Sequence, residues 1–285
     1  MSLLSLRAGR LALDLAPDCG GSITRFAVEG KGDILRPTPP EALTSGKGNN
    51  SSCYPLVPYS NRVAEGRLVF EGETIKLASN WPGQRHPMHG DGWSRPWEVA
   101  RSDTRSAELV YEHDGLLGWP FRYRARLSFR LDDDRLTVAM SLENLERRAV
   151  PGGLGLHPFF TRDADSDLTC HTTHVWLTDA EVISTERVPV PASWDFSQPR
   201  RVDGVSLDNC FDGSDGRATL RWPSRGFAVD LLATEPFRHL VIFTPPQRPF
   251  FCVEPVSHAN GAIGQTHLDE GATLSGEIVF AVSDL

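Results

Sequence analysis

Two titratable side chains, His157 and Glu254, stand out because each is surrounded by apolar residues and followed directly by proline. The first lies in Gly-Leu-His-Pro-Phe-Phe (155–160) and the second in Phe-Cys-Val-Glu-Pro-Val-Ser-His (251–258). Proline removes a backbone donor and biases the preceding residue toward extended geometry. An acid and a base on stiff, extended backbone suit proton transfer on a small neutral substrate. A buried structural histidine and a salt-bridged glutamate are the plainer interpretation.

Two further segments place polar side chains where the strand pattern breaks. Asn61 and Arg62 end Pro-Tyr-Ser-Asn-Arg (58–62), and the planar guanidinium could hold sugar hydroxyls or a carboxylate. A structural ion pair is an equally good interpretation of Arg62. Asp208 precedes a turn, and loop aspartates more often cap or form turns than bind a substrate.

A glycine-flanked loop, His-Pro-Met-His-Gly-Asp-Gly-Trp (86–93), brings His89 and Trp93 close together. Aromatic faces stack on sugar C–H groups, and short polar side chains bind hydroxyls. The loop is therefore typical of a carbohydrate site.

The composition excludes several classes of protein. A net charge of -8 over 285 residues argues against a nucleic-acid or anionic membrane surface. No window approaches eighteen apolar residues, so no membrane span is expected. Residues 1–15 lack the apolar region of a signal peptide, and the five cysteines share no CxxC spacing. We therefore expect a cytoplasmic protein with reduced thiols.

Metal and cofactor motifs are missing from the sequence. The pairs His86/His89 and His171/His174 have HxxH spacing, but they lie in loop or strand sequence without the glutamate of a zinc helix. No phosphate-binding loop, dinucleotide fingerprint or nucleophile elbow occurs. We expect neither a metal nor a cofactor.

Period-two alternation dominates the chain and predicts strands. The clearest hairpin runs from Arg122 to Leu142 and turns at Asp132–Asp134, with apolar residues on one face and an arginine comb on the other. The comb is typical of a solvated or ion-paired outer face. Residues 40–43 and 179–183 could each form a turn or two of helix. The pattern predicts an all-β protein, a large antiparallel β-sandwich in a single domain over 1–285.

Five segments in this order resemble the aldose 1-epimerase (galactose mutarotase) family. They are Tyr-Pro-Leu-Val-Pro-Tyr-Ser-Asn-Arg (54–62), Met-His-Gly (88–90), Gly-Leu-His-Pro-Phe-Phe (155–160), Leu-Asp (207–208) and Val-Glu-Pro (253–255). The resemblance implies the mutarotase supersandwich with an open sugar cleft. It also implies cofactor-free interconversion of the α and β anomers of a free aldose. Met-His-Gly-Asp-Gly (88–92) differs from the pattern of galactose-processing members and looks closer to shorter bacterial members.

The resemblance also implies roles for individual residues. Glu254 matches the general base that takes the C1 hydroxyl proton, and His157 matches the acid that protonates the ring oxygen. His89, Asp208 and Arg62 fall on positions that hold the sugar. A charged His157 needs a neighbouring carboxylate, for which we expect Asp208.

Other functions remain open at this point. A hexose-6-phosphate 1-epimerase would need a cationic clamp, which Arg62, Arg85 and Arg95 could supply. A noncatalytic carbohydrate-binding or sensing domain would need neither His157 nor Glu254. A glycosidase needs two carboxylates and leaves the histidine without a role. Either a monomer or a homodimer is compatible with the sequence.

Overall fold

The computed structural model describes residues 3–81, 83–116 and 118–285. The strands among these residues are, in chain order, β1 (Leu4–Ala8), β2 (Leu11–Ala16), β3 (Ser22–Val28), β4 (Gly32–Asp33), β5 (Cys53–Leu56), β6 (Arg67–Phe70), β7 (Glu73–Lys76), β8 (Glu98–Ser102), β9 (Ser106–Asp114), β10 (Arg122–Leu131), β11 (Arg135–Asn144), β12 (Gly155–Thr161), β13 (Asp167–Cys170), β14 (His174–Thr178), β15 (Ser184–Pro189), β16 (Arg200–Arg201), β17 (Asp208–Asp212), β18 (Arg217–Trp222), β19 (Phe227–Ala233), β20 (His239–Phe243), β21 (Phe250–Val256) and β22 (Thr273–Asp284). One α-helical turn, α1 (Pro40–Leu43), is described among them. The short 3₁₀ turns are Gly48–Asn50, Ala64–Gly66, Gly92–Ser94, Ala192–Trp194, Pro223–Arg225 and Ile263–Gln265.

Two antiparallel sheets carry the fold, which confirms the predicted β-sandwich. The larger sheet has the order β1-β2-β3-β5-β12-β21-β20-β17-β14-β15, with β4 beside β3. The smaller sheet has the order β16-β13-β18-β19-β22-β11-β10-β9-β8, and β6 pairs with β7 separately. The sheets meet in one apolar core, where Phe280 of the smaller sheet lies 6.0 Å from Phe26 and 6.1 Å from Phe160, measured between ring centroids.

The hairpin expected between Arg122 and Leu142 is confirmed as β10 and β11. Leu131 lies opposite Leu136 across the turn. The arginine comb is ion-paired as predicted: Arg124 contacts Glu112 at 2.6 Å and Glu143 at 2.9 Å. These charges lie on the solvent face of the smaller sheet, away from the core.

Residues 179–183 are not helical, in contrast to the expectation. They form the tight turn between β14 and β15, where Val182 has a φ of 62°. The carboxylate of Asp179 accepts the backbone N–H groups of Glu181 and Ile183, each at 2.9 Å. A side chain that satisfies these donors locally competes with helix formation.

The cysteines and the helical turn at 40–43 are as the sequence predicts. All five cysteines are buried and free of disulfides. No helix among the described residues is long and apolar enough to cross a bilayer. The helical turn predicted at 40–43 is present as α1.

The central strands of the larger sheet are buried on both faces. In β12 every residue from Gly155 to Phe160 is buried. Phe160 faces the core between the sheets, whereas His157 and Phe159 face the other way. We call this second side the outer face of the larger sheet. Trp93 of a 3₁₀ turn and Ala259 of a loop pack on this face, in a small apolar cluster with residues of the sheet itself.

Candidate active site

The strand register brings the two titratable residues side by side on the outer face. His157 pairs with Tyr54 of β5, and Glu254 pairs with Val241 of β20. Between β12 and β21, Gly155 pairs with Val256 and Phe159 with Cys252. His157 and Glu254 are the midpoints of these two spans, so they lie opposite each other. The pairing of β12 with β21 thus brings together two residues that are nearly a hundred positions apart in the sequence.

The ladder between β12 and β21 is interrupted where the pair lies. Paired residues stop at Gly155 and resume at Phe159. Pro158 and Pro255 have no backbone N–H to donate, which is why proline is unusual in central strands. Both prolines are tolerated because they lie at this interruption.

His157 and Glu254 form a direct, buried contact. The Nε2 of His157 lies 3.3 Å from the Oε1 of Glu254, and their side chains are 9% and 3% exposed. The imidazole packs against the ring of Phe159, centroid to centroid at 4.4 Å, and against the ring of Tyr54 at 4.6 Å. These two aromatic contacts restrict the orientation of the imidazole, whose Nε2 faces the carboxyl group.

Burial moves both pKa values toward the neutral forms. The pKa of His157 is lowered to about 3, chiefly by desolvation, with an opposing effect of its own backbone and a further lowering by Arg36. The pKa of Glu254 is raised well above its ordinary value by desolvation and by Asp208, while Arg62 opposes the rise. Both shifts favour the uncharged forms, a neutral imidazole and a protonated carboxyl group.

The carboxylate beside His157 is Glu254 and not Asp208, which corrects the expectation from the sequence. The carboxyl of Asp208 acts instead on Glu254, where it raises the pKa. Burial raises the pKa of Asp208 itself, and Arg62 opposes this. The sequence could not separate these roles, because strand order decides which carboxylate reaches the imidazole.

Arg36 is a site residue that no sequence motif indicates. Its guanidinium lies 4.4 Å from the ring centroid of Phe159 and donates to the carbonyl of Ser51 at 2.7 Å. This places a cation behind the ring that stacks on His157, and it contributes to the lowered pKa of His157. A lone arginine before proline carries no sequence signal for this position.

Two motif segments are clasped together beside the pair. Arg62 and Met88 pair in an isolated antiparallel β-bridge. The backbone N–H of His89 donates to the carbonyl of Asn61 at 3.0 Å. Asn61 and His89 both adopt left-handed backbone, with φ of 60° and 63°. Asparagine and histidine are among the residues that tolerate this region best. The clasp explains why both segments are needed to position His89.

The clasp also sets the proton on His89. The backbone N–H of Asn61 donates to Nδ1 of His89 at 3.0 Å, so Nδ1 carries no proton. Burial lowers the pKa of His89 well below its ordinary value, with further lowering by His157 and Arg62. The neutral ring therefore carries its proton on Nε2. Its ring centroid lies 5.5 Å from that of His157.

Gly90 makes the clasp possible, and Gly90→Ala should destabilise the protein by about 3 kcal/mol. Its φ is +65°, and an added Cβ would lie 2.1 Å from the carbonyl oxygen of Val57. Gly30→Ala is the matched control, because Gly30 has a φ of +75° with nothing within 4 Å of an added Cβ. Urea unfolding followed by tryptophan fluorescence should show the larger loss for Gly90→Ala. Equal losses would mean that the backbone conformation alone matters and that the close approach to Val57 does not.

Trp93 does not reach the site surface, contrary to expectation. Its side chain has no accessible area and donates Nε1–H to the carbonyl of Gly90 at 3.0 Å. Trp81 lies against it at 4.8 Å and, at 6.1 Å, approaches His89 edge-on. Trp81 is partly exposed, so it presents the aromatic surface that the sequence assigned to Trp93.

Asp91 of the same loop is also turned away from the site. Its carboxylate accepts the hydroxyls of Tyr111 at 2.6 Å and Tyr123 at 2.5 Å, and lies 2.9 Å from Nδ1 of His113. The pKa of His113 is raised, since Asp91 outweighs the lowering by burial. The network ties the loop to β9 and β10 of the smaller sheet, which is a structural role.

The three arginines considered for a phosphate clamp do not converge. Arg62 alone acts on the acid–base pair through its effect on Glu254. Arg85 is 60% exposed and contacts Glu65 and Glu181. Arg95 lies at a separate cavity beside Lys47.

Among the described residues, two groups of three side chains have metal-ligating atoms within 4.8 Å of one another: His157, Cys252 and Glu254, and Cys210, Asp212 and His239. Burial raises the pKa of Cys210 to about 12, and that of Cys252 rises well above its ordinary value. Protonated thiols are poor ligands. The first group is the acid–base pair, and the oxygens of Asp212 already accept three hydrogen bonds.

The chain is similar in sequence to a known family and to proteins of Escherichia coli. A family model described as Aldose 1-epimerase matches residues 2–281. Uncharacterized protein YphB of Escherichia coli K12 is 33% identical over 267 residues, which cover 91% of this chain and 89% of that protein. The aldose 1-epimerase of Escherichia coli K12 is 27% identical over 138 residues, covering 46% of this chain and 37% of that enzyme.

Solved structures show the same fold over the whole chain. An Escherichia coli K12 protein, assigned provisionally as an aldose 1-epimerase, superposes with a TM-score of 0.92 at 31% identity. The match covers 100% of this chain and 99% of that one. A galactose mutarotase-like protein of Clostridium acetobutylicum has a TM-score of 0.87 at 18% identity, covering 99% of this chain and 95% of the other, and supports the fold alone. With its sequence matched almost end to end, this chain belongs to the aldose 1-epimerase family.

Proposed function

We propose that the protein is a cofactor-independent aldose 1-epimerase that interconverts the α and β anomers of a free aldose. The observation that carries the proposal is the buried contact of 3.3 Å between His157 and Glu254. Glu254 acts as the base and His157 as the acid. We propose that it works in the cytoplasm, where its five unpaired cysteines would stay reduced.

The chemistry requires an acid and a base that lie very close together. Glu254 takes the proton of the C1 hydroxyl while His157 Nε2 delivers a proton to the ring oxygen, and the bond from C1 to the ring oxygen breaks. Both oxygens are bonded to the same carbon, so their partners must be neighbours. The contact between Nε2 and Oε1 meets this requirement.

One shared proton is enough for the whole cycle. Ring opening starts from imidazolium and carboxylate and ends with neutral imidazole and carboxylic acid. After rotation about C1–C2, Glu254 returns its proton to the C1 oxygen and His157 recovers its own from the C5 hydroxyl. Burial favours the neutral form of the pair, and Arg62 stabilises the carboxylate needed at the start.

Neighbouring groups support the sugar. His89 offers its Nε2–H as a donor that does not titrate in the neutral range, because its pKa is strongly lowered. The charges of Arg62 and Asp208 act on the pKa of Glu254, and we assign both side chains to the hydroxyls next to C1. Trp81 supplies the partly exposed aromatic face. Asn61 acts by holding Arg62 and His89 in place.

Two alternatives are less well supported. A phosphosugar epimerase needs converging cations, and Arg85 is instead paired with Glu65 and Glu181. A noncatalytic sugar-binding domain gains nothing from a buried carboxyl with a raised pKa, which costs stability. Strongly perturbed groups in contact are typical of catalytic sites.

The pH dependence of kcat/KM follows from the shared proton. The acid limb should lie far below 6.5, because a second proton binds His157 only near its lowered pKa of about 3. Activity should fall at alkaline pH, as the pair loses its only proton above the raised pKa of Glu254. Polarimetric rates corrected for enzyme-free blanks measure both limbs. An acid limb near pH 6.5 would show a freely titrating imidazole and contradict the shared proton.

Exchange between anomers at equilibrium tests the proposed function. Saturation transfer between the α and β anomeric protons of glucose, galactose and xylose should appear on adding wild-type protein. The active sugars are then ranked by their exchange rates. An exchange rate that remains at the enzyme-free value for every sugar would refute the proposal.

A further inference from the structure

A cavity of about 850 Å³ lies next to the acid–base pair on the outer face. His239 and Asp212 line it. Glu254 pairs across the sheet with Val241, which pairs with Cys210. His239 lies two residues from Val241 in β20, and Asp212 lies two residues from Cys210 in β17. Two residues of a strand span about 7 Å. Arg62, whose charge acts on Glu254, lines the same cavity. Neither His157 nor Glu254 lines the cavity, so an aldose that contacts only this pair would not fill it.

His239 and Asp212 form an oriented pair at the cavity wall. The Nδ1 of His239 lies 2.7 Å from Oδ1 of Asp212, whose Oδ2 accepts Nε–H of Arg187 at 2.6 Å and Nε1–H of Trp176 at 3.0 Å. Burial by itself would raise the pKa of Asp212, but the hydrogen bonds from these donors lower it by more, so the pKa is lowered. The carboxylate is fully engaged, while Nε2 of His239 has no partner among the described residues.

Asn260 is a buried amide with nothing to bind. Asn260 lines the cavity and is 6% exposed, and its buried amide nitrogen and oxygen have no hydrogen-bond partner among the described residues. The loop is fixed, because the backbone N–H of Ser60 donates to Nε2 of His258 at 3.2 Å and Nδ1–H of His258 donates to Ala259. A buried amide without partners is costly and calls for an explanation.

We propose that Asn260, His239 and Trp176 form a second sugar subsite, so that the preferred substrate is a reducing disaccharide whose reducing unit lies at His157 and Glu254. This rests on the proposed function and names its substrate class. The amide supplies a donor and an acceptor, Nε2 of His239 supplies a further polar contact, and the indole of Trp176 supplies an aromatic wall. Hydroxyl groups, which both donate and accept, match this set.

The same groups suit a phosphate less well. Phosphate oxygens accept hydrogen bonds only, so the amide oxygen of Asn260 would lack a donor. Of the arginines at this cavity, Arg67 is exposed and Arg62 is shared with the acid–base pair. A neutral, hydroxyl-rich ring leaves neither amide atom unpaired.

The experiment compares kcat/KM for maltose, cellobiose and melibiose with glucose and galactose, in wild type, Asn260→Leu and His239→Gln. Leucine keeps the size of the asparagine side chain and removes its polar atoms, and the melting temperature verifies folding. In wild type, kcat/KM for at least one disaccharide should exceed kcat/KM for glucose, the reducing unit of all three, by about tenfold. Either substitution should abolish that excess and leave the monosaccharide rate within about twofold. His267→Ala, at an exposed histidine outside the cavity, should change neither rate.

Calorimetric titration with the same sugars separates this inference from the proposed function. If no sugar is epimerised but a disaccharide binds the wild type more tightly than Asn260→Leu, the subsite is supported and the epimerase is refuted. If no disaccharide exceeds its monosaccharide in rate or binding, or if the excess persists in both variants, the subsite is refuted. A preference for glucose 6-phosphate that is lost in Arg67→Ala would replace it with an anion site.

Discussion

Glu254→Gln is expected to slow anomer interconversion by about 10²–10⁴-fold, because one positioned acid–base group contributes about that much. The amide has nearly the same shape, but it cannot take the C1 hydroxyl proton. Since Glu254 and His157 share one proton, the loss should appear in kcat, with little change in KM. Steady-state polarimetry on the preferred sugar measures both constants.

The same substitution should leave stability unchanged or increase it. The pKa of Glu254 in the folded protein lies above the ordinary value of 4.5. Wild type therefore loses stability as pH rises toward and through the raised pKa, and the glutamine variant does not. The difference in melting temperature between the two proteins should grow from pH 5 to pH 8.

Glu112→Gln is the matched control for this comparison. Glu112 is half exposed and pairs with Arg124 on the solvent face of the smaller sheet. Exposed pairs contribute about 0–1 kcal/mol, so neither activity nor stability should change much. Equal activity in Glu254→Gln and Glu112→Gln would show that Glu254 is not the catalytic base.

His157→Phe is expected to have a comparable effect, a loss of about 10²–10⁴-fold in kcat, since no acid remains to protonate the ring oxygen. Phenylalanine keeps an aromatic ring in contact with both Phe159 and Tyr54, so the aromatic packing should persist. Near-ultraviolet circular dichroism checks that the aromatic packing is retained. Wild-type activity in a folded His157→Phe variant would show that the acid lies elsewhere.

The two substitutions should not be additive. Residues that act as one unit lose their joint function when either is removed. The double variant Glu254→Gln/His157→Phe should therefore be about as slow as the slower single variant. Multiplying losses would indicate two independent groups and contradict the shared proton.

Local patterns in the sequence predicted the strands well. The alternation in β10 and β11 places every second side chain on one face, and that face is buried against the core. The turn at 179–183 was less predictable, because the Asp179 side chain and the positive φ of Val182 decide it. The sequence spacing there fits a helical turn equally well.

Contacts between strands limited the prediction of the site. His157 and Glu254 were recognisable by their apolar surroundings, but their mutual contact depends on β12 lying beside β21. The same dependence hid Arg36, whose role comes from packing on Phe159. Trp81 and Trp93 could not be told apart in the sequence, since only the fold decides which indole covers the other.

The most direct test of the acid–base pair follows the optical rotation of freshly dissolved α-D-glucose, α-D-galactose and α-D-xylose. The rotation is recorded with wild type, with Glu254→Gln and without protein. We predict faster equilibration of at least one sugar with wild type, and a rate close to the blank with Glu254→Gln. Equal acceleration by the two proteins would contradict the role of Glu254, and no acceleration by wild type would contradict epimerisation of these free aldoses.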